Sequence, residues 1–437
     1  MRTQVATARR LADMAGPAPR RAADLWWLHP TRIVLLALLP VYLAILAYDF
    51  SGVVKNVYIP SGLYFFGIVL LLALAAGIQW ALAQPLQGPV AMPPQLSSGL
   101  MLALLVPALL SYVVWLGPLL GQPHLLLEIV AGERAEVRDA ISTTPGVTTF
   151  TQFGVAYAIA YALKRGAGRQ AMRAWEHAGM ALLLGLAVFR AFAWAERLAV
   201  IEMLVCFAVA HMAYLPVASP RRWRMAAAVP VVAPLVLYLL FTASEYFRSW
   251  DYYVDQFDSV WAFTLDRLIT YYATAANNGI GMLVDDTRWP YYQGAFALEW
   301  TYIMPGLGQL LDAAFGNPRA AASVWLATYA RPEFNSPTAY FRIVLDLGYL
   351  GAVLCLLAIG YLIGRAYSGF RRGYTFGLLM YPVFVLFLIE SLRYNYLGET
   401  RMVPLAIGIA LIAIDIRRMR HGSVGQRPYA DQSGLLG

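Results

Sequence analysis

Polar residues in this chain arrive in short bursts between long apolar runs. Runs long enough to cross a bilayer cover about 31–48, 61–83, 98–121, 148–163, 177–195, 198–217, 225–243, 338–363, 375–392 and 401–416. About 20 apolar residues in a helix traverse the roughly 30 Å hydrocarbon core, so the pattern predicts ten membrane-spanning helices. Backbone groups cannot stay unpaired in hydrocarbon, and helices pair them within each run. The expected fold is an all-α, polytopic transmembrane helix bundle. An even number of spans puts both termini on one side. The expected divisions are an N-terminal arm over 1–30, spans one to seven over 31–243, a large helical outer loop over 244–337, spans eight to ten over 338–416, and a tail over 417–437.

Composition narrows the class. Hydrophobic residues make up 60% of the chain and charged ones 13%, which excludes a disordered chain, a coiled coil and a nucleic-acid-binding domain. The net charge of +8 means little until it is divided between two faces. Six arginines precede or open the first span. Lys164, Arg165, Arg169 and Arg173, then Arg221, Arg222 and Arg224, then Arg365, Arg371 and Arg372, and finally Arg417, Arg418, Arg420 and Arg427 all fall on the same side. The acids there are Asp13, Asp24, Glu176, Asp415 and Asp431. The positive-inside rule places that side, and both termini, in the cytoplasm. A basic inner face reads as contact with anionic lipid rather than with nucleic acid. Trp26, Trp27, His29 and Pro30 suit an interfacial anchor. The N-terminal segment lacks an uninterrupted apolar core, so no cleavable signal peptide is expected. Cys206 and Cys355 both fall in spans and suggest neither a disulfide nor a zinc framework.

The outer side holds two larger loops, about 122–147 and 244–337. In the second, Asp251, Asp255 and Asp258 are spaced to share one helical face. They form either the wet side of a surface helix or a site for a cation or sugar hydroxyls. Segment 294–315 is apolar but broken by Pro305, Gly306 and Gly308, as in a re-entrant or interfacial helix. Segment 331–340 reads as a fixed turn with Ser336 or Thr338 near a helix start.

Ionisable residues inside apolar runs are costly and point to function. Three clusters qualify: Arg190, Glu196, Arg197 and Glu202; Arg342 and Asp346, at i and i+4; and Glu390, Arg393, Glu399 and Arg401. Either each cluster neutralises itself, with Arg342–Asp346 the pair most open to that reading, or all three converge on one outer cavity. Among the histidines, His124 alone is placed for outer-face catalysis. There is no Gly-rich phosphate loop, H-E-x-x-H or G-x-S-x-G. The first outer loop offers only Asp49 and Lys55, and the acidic doublet Asp285-Asp286 lies in the large loop. That pattern argues against a metal-dependent site.

Four features carry a family resemblance. WWLHP stands before the first span, FRAFAWAERLAVIE joins two adjacent spans, a large outer loop lies late, and NSPTAYFRIVLDLGYLG follows it with Asp346, Gly348 and Gly351 as a D-x-G-x-x-G run. The chain thereby resembles the oligosaccharide repeat-unit polymerases, also called O-antigen or Wzy-type polymerases. The resemblance implies a glycosyltransferase of the cytoplasmic membrane that polymerises polyprenyl-diphosphate-linked oligosaccharides on the outer face. It implies no metal, no nucleotide sugar and no other cofactor. The implied partners are the lipid-linked oligosaccharide, membrane lipid and a chain-length regulator, with no nucleic acid. It also implies functional arginines at Arg190 and Arg197, and then at Arg288, Arg331 and Arg342.

The chemistry suits these residue types independently. A departing lipid diphosphate needs fixed donors, and the arginine fork pairs phosphate oxygens bidentately. Arg393 and Arg401 join the list on that ground. A carboxylate can accept the proton of the attacking hydroxyl; Glu196, Asp346 and Glu333 are the chosen candidates, with Glu202 and Glu390 also available. Two other readings remain: a ligase passing the glycan to a different acceptor, and a transporter of the lipid-linked glycan. Internal symmetry is not seen and the charges gather near one face, which favours an enzyme over a transporter.

Overall fold

A computed structural model of the chain describes residues 22–50, 61–84, 86–87, 90–122, 124–125, 146–168, 170–193, 196–215, 220–285, 294–316, 318–330 and 334–424. A helix forms in each of the ten apolar runs. Helix α1 comprises Pro30–Ile33, a π-helical stretch Val34–Leu38 and Leu39–Phe50. The wider turn precedes Pro40, whose ring would otherwise clash with the carbonyl four residues back. Then come α2 (Ser61–Leu82), α3 (Ser98–Gly121), α4 (Phe153–Ala167), α5 (Ala174–Ala193), α6 (Leu198–Met212) and α7 (Pro220–Tyr253). The large loop contributes α8 (Val260–Asp285), α9 (Glu299–Ile303), α10 (Leu307–Phe315) and α11 (Pro318–Tyr329). The chain closes with α12 (Ala339–Arg372), α13 (Thr375–Glu390) and α14 (Met402–Val424). Six helices among the described residues are long and apolar enough to cross a membrane: those spanning Pro30–Tyr48, Gly62–Leu82, Ser98–Leu119, Ala174–Ala193, Trp223–Tyr246 and Ala339–Arg372.

Two packing centres organise the bundle. Helix α4 is buried on all sides from Phe153 to Lys164, surrounded by α3, α5, α6 and α14. The second centre is the crossing of α2 and α12. A Cβ on Gly77 would overlap the Leu357 carbonyl, and one on Gly360 would overlap the Leu74 carbonyl. Small residues let two backbones meet where lipid offers no hydrophobic drive for helix association.

The ends of the helices sort as the charge pattern expects. At the end holding the first described residues, here called proximal, Asp24 pairs with Arg371 at 2.6 Å, Gln79 reaches Thr31 at 2.9 Å, and Ser97 bonds Asp415 at 2.7 Å. The three charged clusters lie at the opposite, distal end.

Several expectations are corrected. Lys164, counted in the basic inner face expected to meet anionic lipid, is instead 3% exposed and pairs with Glu176 at 2.6 Å. Asp251, Asp255 and Asp258 do not share a helical face. Helix α7 runs on to Tyr253, and the chain then turns through Val254–Gln256 before α8 begins. Nor is the large loop confined to the surface. The C-terminal half of α8 is buried, with Asn277 and Asn278 at 4% and 3% exposure, and it packs on α1 and α12. Tyr64 donates to Asn277 at 3.4 Å, and Asn278 donates to the Phe334 carbonyl at 2.8 Å. Residues such as Thr, Asn, Gly and Ala satisfy a protein neighbour rather than lipid, so hydropathy does not reveal this helix. Trp26 and Trp27 do more than sit at an interface, because both indoles donate to carbonyls of α7.

Candidate functional site: a network of arginines and carboxylates

The D-x-G-x-x-G run is a break in a helix. Gly348 has φ 69° and ψ −179° inside α12, a conformation open to glycine and strained for residues with a Cβ. Thr338 opens this helix by accepting from the Phe341 N–H at 3.3 Å, as segment 331–340 predicts. Two residues before the break, Asp346 is 3% exposed. It does not pair with Arg342. Its Oδ2 accepts the backbone N–H groups of Phe296, at 3.0 Å, and of Ala297. Asn395 holds the same strand of chain from its other side, donating to the Ala297 carbonyl at 3.0 Å. Thus the expected i, i+4 ion pair gives way to a clamp on the turn Gly294–Leu298, which leads into α9. Asp346 Oδ1 is left buried without a hydrogen-bond partner among the described residues.

Arg342 turns away to two carboxylates, Glu399 at 3.0 Å and Glu299 at 3.4 Å. It thereby ties α9 to the turn between α13 and α14. Arg190 is almost enclosed. Its Nε donates to Glu196 at 2.6 Å, its Nη1 to Thr151 at 3.1 Å, and its guanidinium lies 4.3 Å over the Trp115 ring. The Glu196 side chain in that pair is 42% exposed. Arg197 pairs with Glu245 and donates to Ser244 at 3.1 Å. Glu245 also takes Arg267, at 3.0 Å. Arg401 pairs with Glu202, which is held in turn by Gln152. Arg393 reaches Glu390 at 3.5 Å and stacks 4.3 Å over Tyr271.

These pairs are not isolated. Tyr112 feels Arg190, Glu202 and Glu196, while Glu390 feels Glu202 and Arg401 as well as Arg393. Tyr394 feels Arg401 and Glu399. The first and third clusters therefore share one field, and Arg342 joins through Glu399. Burial first, and the Glu202 carboxylate second, push the Tyr396 phenol well above its ordinary value. It stays neutral, with its hydroxyl buried and unpartnered among the described residues, as is that of Tyr394.

The arginine side chains differ in exposure. The side chains of Arg393, Arg197 and Arg401 are 31%, 27% and 26% exposed, whereas those of Arg342 and Arg190 are 12% and 11% exposed. Arg288, Arg331 and Glu333 lie outside the described residues. His124 is exposed just past α3. No group of three or more metal-ligating side chains occurs among the described residues. The cavity lined by Val90, Ala91, Tyr214, Arg371 and Gly373 is at the proximal end, away from the network.

Sequence reading missed Arg267, Glu245, Glu299 and Asn395. Glu245 stands two residues beyond the apolar run, and Arg267 sits among polar and aromatic residues of the large loop. An acid at the very end of a span is a usable signal; the others became partners only when the loop folded back. No model of a known protein family matches the chain, no curated protein matches its sequence, and no solved structure matches its fold.

Proposed function

We propose that the distal network handles a membrane-held, anionic glycan donor, and that the chain is a glycosyltransferase polymerising polyprenyl-diphosphate-linked oligosaccharides. In this reading ten helices cross the cytoplasmic membrane, both termini are cytoplasmic, and the network faces outward. What supports it is one observation: arginines from separate elements converge at one end of the bundle, and the side chains of three of them are partly exposed. Each arginine already holds a carboxylate, so a diphosphate binds by exchange. Arg197, Arg393 and Arg401 pass from carboxylate to phosphate oxygens, and the displaced carboxylates become available as bases.

The reaction balances simply. The anomeric C–O bond to the lipid diphosphate breaks, and the polyprenyl diphosphate leaves with that electron pair. A hydroxyl of the next lipid-linked unit forms the new glycosidic bond, and its proton passes to a carboxylate. Glu196 is the most exposed of the candidate bases among the described residues. Asp346 acts as a positioning residue, holding the turn that carries α9 and Glu299 against the network. Removing one fixed donor from a developing oxyanion costs about 10²–10³-fold in rate.

A second reading has its own support. Broken helices are common in transporters, and α12 breaks at Gly348. One assay separates the two. Purified protein receives a lipid-linked oligosaccharide in detergent, and products are sized. A ladder is expected. Transfer of a single unit to a foreign acceptor marks a ligase, and an unchanged donor with folded protein marks a transporter. Arg401→Gln should reduce ladder formation by about 10²-fold or more; an unchanged ladder removes Arg401 from the site.

A further inference from the structure

Buried polar atoms without a hydrogen-bond partner collect in the distal network. Gln152 Oε1, Arg342 Nε, Asp346 Oδ1 and the hydroxyls of Tyr394 and Tyr396 are all in this state among the described residues. Folded proteins leave few such atoms, and ordered water commonly completes them. Arg342 Nε and Asp346 Oδ1 stand apart from the rest because they are complementary. A guanidinium nitrogen can only donate, and a carboxylate oxygen accepts.

The backbone brings these two atoms together. Arg342 and Asp346 are four residues apart on α12, where side chains at i and i+4 are neighbours. Both also reach the same short stretch of chain. Asp346 Oδ2 accepts the N–H groups of Phe296, at 3.0 Å, and of Ala297, while Arg342 Nη1 donates to Glu299 at 3.4 Å. The other guanidinium nitrogens are engaged, Nη1 with Glu399 at 3.0 Å as well and Nη2 with Ser336 at 3.4 Å. Nε alone is idle. The Asp346 carboxylate feels the Arg342 charge, yet the two side chains are not bonded. A polar pair that interacts without touching is the spacing that one water spans.

The chemistry selects the occupant. The guanidinium repels a cation, and the carboxylate repels an anion. A proton on Oδ1 would leave Nε unmet and would itself need an acceptor, which arginine lacks. Water meets both needs at once, since it accepts from Nε–H and donates to Oδ1.

We propose that one trapped water bridges Arg342 Nε and Asp346 Oδ1, so that the pair expected from their spacing exists in water-separated form. One guanidinium then serves three carboxylates: Glu299 on α9, Glu399 in the turn between α13 and α14, and, through the water, the Asp346 carboxylate that clamps Gly294–Leu298. The bridge concerns how the network is built and involves no glycan. Its failure and that of the transferase reading are therefore separate results.

The test is a cryo-electron microscopy map of the full chain in a lipid nanodisc, at a resolution that shows bound waters. A density peak is expected within hydrogen-bond reach of both Arg342 Nε and Asp346 Oδ1. Direct contact between the two side chains, no peak, or a peak that touches only one of them would each overturn the proposal. Arg342→Lys provides the second arm. Its ammonium keeps a cation for Glu299 and Glu399 but puts no donor at the Nε position, so the peak should be lost. A peak that persists unchanged at Asp346 would show that Arg342 does not hold the water, and would overturn the bridge. If that variant does not fold, the map of the unaltered chain decides alone.

Discussion

Two sets of buried charges in this protein use the same residue types to opposite ends. At the proximal end, Lys164 and Glu176 form a closed lock. Glu176 is 0% exposed and accepts from Lys164 at 2.6 Å, from Ser98 at 2.9 Å and from the Arg173 N–H at 3.0 Å. One cation meets one anion, and Ser98 bonds both. At the distal end the pairing is shared and open. Glu245 serves two arginines and Arg342 serves two glutamates. Three arginine side chains there are partly exposed, while Asp346 Oδ1 and two phenol hydroxyls stay unpartnered among the described residues. Burying a charge is tolerated when it is fully paired; a network left incomplete is suited to exchange partners.

The comparison can be broken from either side. The largest stability effect should come from opening the lock. Lys164→Met strands a buried carboxylate and should cost about 3–5 kcal/mol, whereas the double change Lys164→Met with Glu176→Leu should recover most of that loss. Thermal unfolding in detergent measures both, and a harmless single variant would show the pair to be solvated. At the distal end, Arg401→Gln also strands a buried carboxylate, Glu202, which keeps only the Gln152 hydrogen bond, and should cost about 3–5 kcal/mol in stability; ladder formation measured on the folded fraction should still fall by about 10²-fold.

Asp346→Leu tests the clamp. It leaves the Phe296 and Ala297 N–H groups without their acceptor, at about 1–3 kcal/mol each. Limited proteolysis should then cut near 294–303 faster, and unchanged cleavage would mean that Asn395 alone holds the turn. The smallest effect belongs to Trp27→Phe, which removes one neutral hydrogen bond worth about 1 kcal/mol. It should lower the unfolding temperature slightly and leave the distal network intact.

Much of the frame was legible in the chain. The apolar runs, the alternation of basic ends, the turn around Thr338 and the three clusters all follow from the cost of placing polar groups in hydrocarbon. The site was legible only as a list of costly residues. Arg342 and Asp346 lie one helical turn apart, so local spacing predicts that they pair. They part because the turn at Phe296 and Ala297 offers Asp346 two N–H donors, while Glu299 and Glu399 take Arg342. Residues 50 or so positions away in sequence decide both outcomes. Likewise Glu245 and Arg267 are unremarkable until α7 and α8 stand side by side.

The amino-acid sequence by itself determined that this protein is a helical membrane bundle with charge concentrated at the ends of its helices. That information is local, since each residue's transfer cost is its own property. Tertiary structure decided which acid each arginine holds and that α8 returns to the core. Those are questions of which surfaces meet, and an ion pair between distant residues exists only where two segments have already come together.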